Sequence, residues 1–169
     1  IAAHAARKGI RTRLVDLAPA ALTRATARLE KTLARALKRR RIKRHDAQRA
    51  RDHLEVSTVM QGVRGRDLVL EAIAEKLEIK RTLYADLEAK LGDDAVLATN
   101  TSSLPLHELA SSLRKPENFV GLHFFNPPEQ MPLVEIIRHD GVSDATLARA
   151  AKFATKLGKV PVLVGDGAG

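Results

Sequence analysis

The segment 99–137 carries three side-chain types that together could move a proton. Ser102 lies in a hydroxyl-rich turn that directly follows an apolar run. His123 lies near the end of a second apolar run, and Glu135 follows twelve residues later within a strand-like segment. A hydroxyl, an imidazole and a carboxylate are the parts of a proton-transfer site in which a third group orients the base. Their order and spacing predict such a site.

Each of these residues also has a simpler interpretation. A serine after a strand is often only a turn or cap residue, and for Ser102 alone that interpretation is favoured. A buried core histidine is the alternative for His123. If the next strand returns along this one, Glu135 reaches the ring, and a carboxylate facing an imidazole fixes its tautomer.

The remaining histidines have no comparable partner in the sequence, and we expect them at the surface; they are His4, His45, His53, His107 and His139. No two histidines have the spacing of metal ligands on a helix, so we expect no metal site.

Strand-like and helix-like segments alternate along the chain. Strands are predicted at 11–17, 55–59, 67–73, 95–99, 118–124, 133–138 and 160–164, and helices at 1–8, 19–37, 46–54, 77–91, 105–113 and 143–157. The helix from Pro19 has apolar residues at helical spacing, and in the helix from Leu77 the leucines at 77, 83, 87 and 91 are expected to face the core. This alternation predicts an α/β fold with a mostly parallel sheet.

Acidic residues follow two of the predicted strands. Asp16 ends the first strand, where an acid in a dinucleotide-binding fold accepts hydrogen bonds from the adenosine ribose of NAD. The glycine-rich loop that usually accompanies it would fall before Ile1, and a cap is the alternative role. Glu71 and Glu75 could border a cofactor crevice. The residues alone favour a simpler interpretation, in which these acids lie near the start of a helix and pair with Lys80 on an exposed face.

The composition is that of a globular α/β protein with an aliphatic core. The 169 residues are 44% hydrophobic but only 3% aromatic, and the absence of cysteine suits a reducing compartment, so we expect a cytoplasmic protein. The net charge is +9, and much of it lies in the basic run 38–44. A solvated helix end is favoured over an anion site, and no nucleic-acid partner is expected because stacking aromatics are missing.

Four segments carry a family resemblance. Residues 67–73 (DLVLEAI), 100–104 (NTSSL), 121–127 (GLHFFNP) and 133–137 (LVEII), in this order and spacing, resemble L-3-hydroxyacyl-CoA dehydrogenase. The run LKRRRIKR is closer to the multifunctional fatty-acid oxidation proteins, which join this domain to an enoyl-CoA hydratase (a lyase), than to the single-function enzymes.

The resemblance implies a role for each matching residue. His123 would be the general base for the substrate 3-hydroxyl, Glu135 would orient it, and Ser102 would bind the substrate oxygen near the nicotinamide. Asn126 would also lie by the nicotinamide. The remaining cofactor-binding positions would be Asp16, Ala72, Glu75 and Lys80.

The resemblance also implies the setting of the chain. Residues 1–169 would be a Rossmann-like dinucleotide-binding domain truncated at both ends, without its glycine-rich loop and the following helical domain, and inactive alone. The parent would oxidise (S)-3-hydroxyacyl-CoA to 3-oxoacyl-CoA with NAD in β-oxidation, as an oligomer with a thiolase partner and without a membrane span. The alternatives are a dehydrogenase of another 3-hydroxy acid and a non-catalytic anion-binding module that uses the basic run.

Overall fold

The computed structural model describes residues 1–167, which form two compact units, one from Ile1 to Met60 and one from Gln61 onward. In these residues no helix combines the length and apolar character that a membrane span requires.

The first unit pairs two parallel strands with three helices. Its elements are α1 (Ala2–Arg7), β1 (Thr12–Val15), α2 (Pro19–Lys38), α3 (Arg44–Asp52) and β2 (Leu54–Ser57). Pro19 begins α2 because its fixed φ suits the first helical turn, where no N–H partner is needed. Leu29 and Leu33 pack against Ala47 and Ala50, so the predicted apolar stripe of α2 is confirmed as the core of this unit.

The second unit is a five-stranded sheet in the order β3-β4-β5-β6-β7. Its elements are β3 (Leu68–Glu71), α4 (Leu77–Glu88), β4 (Val96–Thr99), α5 (Leu106–Ala110), a short 3₁₀ turn (Pro116–Asn118), β5 (Phe119–Phe124), β6 (Leu133–Arg138), α6 (Asp144–Lys156) and β7 (Val160–Gly165). All neighbours are parallel except β5 and β6, which are antiparallel. The predicted α/β class with a mostly parallel, Rossmann-like sheet is therefore confirmed.

Gly121 allows β5 and β6 to approach closely. A Cβ atom at this position would lie 2.7 Å from Cβ of Ile137 and 3.0 Å from a methyl group of Leu106. Any larger residue would have to push β6 or α5 away, because real Cβ atoms do not approach other carbons so closely. The glycine of the GLHFFNP segment thus fixes the strand pair that carries His123 and Glu135.

The buried face of α4 differs from the prediction. The helix ends at Glu88, and its buried residues are Lys80, Tyr84 and Leu87 rather than a row of leucines. A lysine and a tyrosine occupy core positions here because their polar ends meet a buried carboxylate, which hydropathy spacing does not reveal.

Candidate active site

His123 and Glu135 form a hydrogen-bonded pair between neighbouring strands. They are directly opposite each other in the antiparallel β5–β6 register, so their side chains emerge on the same face. His123 Nδ1 lies 2.8 Å from Glu135 Oε2. An ionised carboxylate only accepts hydrogen bonds, so Nδ1 carries the proton and Nε2 has the lone pair of a base. The two side chains are 21% and 30% exposed, so a ligand can reach them.

Ser102 lies in the turn after β4, and this turn is held by Glu75. The Ser102 N–H donates to Glu75 Oε1 at 2.9 Å, and the Thr101 hydroxyl donates to the same oxygen. Thr101 also accepts a hydrogen bond from the Leu104 N–H, which closes the turn. The Ser102 side chain remains exposed.

The Ser102 turn and His123 lie at the same edge of the sheet. β4 and β5 are parallel neighbours, with Thr99 opposite Gly121, so their carboxyl ends meet. Asn100 links these ends directly, because its Oδ1 accepts the Phe124 N–H at 2.9 Å. The hydroxyl, imidazole and carboxylate of the predicted proton-transfer site are thus placed by adjacent strands.

The loop after β5 presents Asn126 and is anchored by Lys159. Asn126 is exposed, and its peptide bond to Pro127 is cis. The ammonium group of the buried Lys159 donates to the carbonyl oxygens of Pro128 at 2.5 Å and Met131 at 2.6 Å. The sequence reasoning missed Lys159, since a lysine after a helix-ending glycine reads as a solvated residue.

Glu71 and Lys80 are buried, so the interpretation as an exposed Glu–Lys face was wrong. Lys80 Nζ lies 2.6 Å from Glu71 Oε1 and 3.2 Å from Glu75 Oε2. Tyr84 donates to Glu71 at 2.6 Å, and burial together with this carboxylate raises the pKa of Tyr84. Glu71 ends β3 inside the core, and only its partners there make that burial tolerable.

The carboxylate of Glu75 faces the same cluster but is partly exposed. Burial by itself would raise the pKa of Glu75. The hydrogen bonds from Thr101 and Ser102, with the Lys80 ammonium, outweigh burial and hold that pKa below its usual value. Glu75 therefore stays ionised at neutral pH beside the Ser102 turn.

Asp166, just after β7, caps α5. Its two carboxylate oxygens accept the Leu106 N–H at 2.8 Å and the His107 N–H at 2.7 Å. The His107 ring nitrogen Nδ1 lies 2.9 Å from the same carboxylate. Burial by itself would raise the pKa of Asp166, but these backbone donors outweigh burial, so the pKa lies below its usual value. Sequence reasoning missed this cap because its donor and acceptor are about sixty residues apart.

Three expectations about the other histidines were wrong. His45, expected to have no partner, has its Nε2 3.1 Å from Asp46 Oδ1. His107 has the partner just described, although its side chain is exposed. His139 is buried, receives the Gly141 N–H at 3.2 Å and packs its ring against Phe119. Among residues 1–167 no cluster of three or more potential metal ligands is found.

Asp16 lies in the first unit, directly after β1. Its Oδ1 accepts the Ala18 N–H at 2.8 Å, and its own N–H donates to the Ser57 carbonyl at 3.2 Å. The bond to Ala18 closes a local turn before α2, and the start of α2 has no side-chain cap, so the alternative role of Asp16 as a helix cap is not observed. The Asp16 side chain is exposed. In the second unit Ala72 follows β3 and is likewise exposed.

The basic run 38–44 extends from the last residue of α2 to the first residue of α3. Its cationic side chains are exposed, while Ile42 packs against the core of the first unit. A shallow surface groove along α2 is lined mostly by basic residues, namely Lys31, Ala34, Arg35, Lys38 and Arg39. The run is therefore basic and solvent-exposed, as both the helix-end and the anion-site interpretations require.

The exposed acidic and hydroxyl side chains lie at the carboxyl ends of parallel strands, which is where open α/β sheets of the dinucleotide-binding class bind their ligands. Residues 1–167 match the family described as 3-hydroxyacyl-CoA dehydrogenase, NAD binding domain, and the chain belongs to this family. The cofactor of this family is NAD, as expected from Asp16.

Curated proteins and solved structures are similar to this chain over nearly its whole length. The fatty acid oxidation complex subunit alpha of Shewanella loihica is 41% identical over 164 residues, which are 95% of this chain and 23% of that protein. Two crystal structures also match. The 3-hydroxybutyryl-CoA dehydrogenase of Escherichia coli is 32% identical (TM-score 0.94), with 98% of this chain and 35% of that chain covered. The (S)-3-hydroxybutyryl-CoA dehydrogenase of Ralstonia eutropha is 31% identical (TM-score 0.93), with 98% and 59% covered. This chain thus spans about a quarter of the length of the curated relatives it matches.

Proposed function

We propose that the full-length protein that carries this chain oxidises (S)-3-hydroxyacyl-CoA to 3-oxoacyl-CoA with NAD in fatty-acid β-oxidation. The observation that carries the proposal is the 2.8 Å contact between His123 and Glu135 at the sheet edge that also bears Ser102. The similarity to fatty acid oxidation and 3-hydroxybutyryl-CoA enzymes supports the substrate class.

His123 is the general base of this proposal. A secondary alcohol is a weak acid, so its oxidation requires a base at the hydroxyl group of the carbon that loses hydride. Nε2 of His123 takes that proton, and Glu135 holds the ring and stabilises the imidazolium that forms. The Ser102 hydroxyl donates a hydrogen bond to the substrate oxygen.

NAD, when bound, supplies the hydride acceptor. Asp16 would hold the adenosine ribose, Ala72 and Glu75 would line the cleft, and Asn126 would lie beside the nicotinamide. Lys80 would lie behind Glu75 in this cleft, since its side chain is buried beside that carboxylate.

A substrate comparison tests this function. Purified full-length protein is mixed with NAD and either (S)-3-hydroxybutyryl-CoA or free (S)-3-hydroxybutyrate, and NADH formation is followed by its absorbance. We expect turnover of the CoA ester only. Turnover of the free acid at an equal or higher rate would assign a dehydrogenase of another 3-hydroxy acid, and no NADH with either substrate would refute dehydrogenase activity.

We also propose that the full-length protein carries an attached enoyl-CoA hydratase, forms an oligomer and has a thiolase partner. Hydration of a 2-enoyl-CoA by the same purified polypeptide, together with its mass in solution, checks the first two.

A further inference from the structure

A buried lysine holds the loop that joins β5 to β6. Lys159 lies directly before β7 and is 7% exposed. Its ammonium group donates to the carbonyl oxygens of Pro128 at 2.5 Å and Met131 at 2.6 Å. An ammonium group removed from water destabilises the fold unless other acceptors replace the water. The loop backbone supplies two such acceptors, so the lysine and the loop fix each other.

The loop depends on donors from outside because it has few of its own. Three of the seven residues 126–132 are prolines, and a proline has no N–H. The N–H groups of Gln130 and Met131 both turn inward to the carbonyl oxygen of Pro127, at 2.9 and 3.1 Å. The carbonyl groups of Pro128 and Met131 receive the Lys159 ammonium group instead, which satisfies acceptors that the loop itself does not.

The end of α6 fixes the position from which Lys159 reaches the loop. Gly158 ends the helix with a φ of 76°, in the left-handed region. The Lys159 N–H then donates to the Ala154 carbonyl at 3.0 Å, which closes a Schellman motif. The next N–H along the chain, that of Val160, donates to the Pro132 carbonyl at 2.8 Å. Two consecutive residues therefore hold the loop at three of its carbonyl groups.

The anchored loop presents Asn126. This residue lies two positions beyond the end of β5, outside the ladder that sets His123 opposite Glu135. Its side chain is exposed. Its position therefore depends on the loop, which Lys159 holds at Pro128, two residues further on.

We propose that Lys159 is a positioning residue, which holds the 126–132 loop and thereby places the Asn126 side chain for the nicotinamide of NAD. The inference rests on the proposed function for the role of Asn126, but not for the anchoring of the loop. Loss of the anchor weakens NAD binding. It leaves the titration of His123 unchanged, because the β5–β6 ladder and Glu135 hold that ring.

The test uses the full-length protein and two replacements of Lys159. Lys159→Met keeps an apolar stem and removes the donors to both carbonyl groups. Lys159→Arg keeps the charge and several N–H donors and is the conservative variant. Lys156→Met, at an exposed lysine of α6, is the matched control. Circular dichroism establishes folding. If Lys159→Met does not fold, Lys159→Gln, whose amide donates without a charge, takes its place.

The decisive measurement is the coupling between Lys159 and Asn126. The Kd of NAD is measured for the wild type, Lys159→Met, Asn126→Ala and the double variant. We expect Lys159→Met to raise this Kd about 5-fold in the native background and less than about 2-fold when Asn126 is already Ala. Lys159→Arg should recover most of the lost affinity, and Lys156→Met should bind NAD like the wild type.

A merely structural lysine would give a different result. It would raise the Kd equally in both backgrounds, and that outcome, or no increase in the native background, would overturn the proposal. An unchanged Kd in Asn126→Ala alone would do the same. The pH profile of kcat gives a second readout, because a midpoint shifted by Lys159→Met would show an action on His123 instead of Asn126.

The two proposals fail separately. If the wild-type protein does not oxidise the CoA ester, the proposed function fails, whereas the NAD affinity cycle still reports whether Lys159 acts through Asn126. If the wild-type protein is active and the cycle shows no coupling, only the positioning role is lost.

Discussion

At the scale of single residues, the chemistry depends on one imidazole with a defined tautomer. Glu135 holds Nδ1 of His123 at 2.8 Å, and the Phe125 ring packs against the imidazole with centroids 4.8 Å apart. Both contacts restrict the ring, so Nε2 is presented in one direction. Preorganisation of this kind lowers the barrier because little reorganisation is left for the reaction itself.

The first prediction separates the base from its orienting carboxylate. His123→Gln in the full-length enzyme removes the proton acceptor, and kcat is expected to fall about 10²–10⁴-fold. Glu135→Gln keeps the ring but removes the charge that stabilises its imidazolium, so a smaller fall is expected. Kinetic assays give kcat, and fluorescence titration should show that NAD affinity changes little in both variants.

The exposed His107 supplies the matched control. His107→Gln changes an imidazole that lies on Asp166 at the start of α5 and is expected to leave kcat within a factor of about two. Unchanged kcat in His123→Gln would remove this residue from the mechanism.

At the scale of elements, α5, which follows the Ser102 turn, is joined to the end of β7, the last strand of the sheet. α5 is only five residues long, and helices of this length are not stable alone. Its first free N–H groups are satisfied by Asp166, which follows the last strand. The cap therefore links the segment that follows the Ser102 turn to the end of β7, across about sixty residues of chain.

The second prediction concerns this cap. Asp166→Asn in the full-length protein loses the charge that serves both N–H groups, and a helix cap contributes about 0.5–2 kcal/mol. Hydrogen exchange in peptides covering α5 should therefore become about 10-fold faster at pH 7, while the exposed Asp140→Asn should cause no such change.

The difference in exchange rate between the wild type and Asp166→Asn should decrease as the pH falls. The pKa of Asp166 is lowered in the folded protein, so the stabilisation is present above its ordinary value of 3.8 and is lost as the pH falls through the lowered value. The two proteins should thus become alike in strong acid. A difference that persists there would show that the carboxylate charge is not the cause.

At the scale of the whole molecule, the charge is strongly positive and unevenly distributed. The net charge is +9, and the basic run 38–44 adds six cationic side chains to the first unit. Ile42 anchors the middle of this run in the core, so the cations around it are held near one place. A concentrated positive patch attracts polyanionic substrates, and the phosphates of CoA are such groups.

The third prediction tests this attraction. Replacing Lys38, Arg39 and Arg40 by Gln in the full-length enzyme should raise KM for the acyl-CoA several-fold with little change in kcat, and the effect should shrink at high salt because screening weakens such attraction. The control replaces the exposed Lys152 and Lys156 of α6 by Gln and so removes two positive charges outside the basic run.

Two results would contradict the CoA hypothesis. One is an unchanged KM in the basic-run variant. The other is salt-sensitive retention of the wild-type protein on nucleic acid without any turnover, which would favour an anion-binding module.

Much of the fold follows from local pattern. The alternation of apolar runs with helical stripes predicts every strand and α-helix of the described residues, because hydrophobic periodicity reflects the face that each element buries. The pairing of His123 with Glu135 was also within reach, since a strand that returns after a short loop places the two residues opposite each other.

The sequence by itself therefore determined the α/β class, the order of the elements and, through its family motifs, the candidate catalytic residues. Only the tertiary structure decided the states of Glu71, Lys80, His139, Lys159 and Asp166. From the sequence these side chains are expected at the surface, because charged and polar side chains are exposed on average. Whether a charged group is buried depends on partners from distant segments, and those partners meet only when the chain has folded.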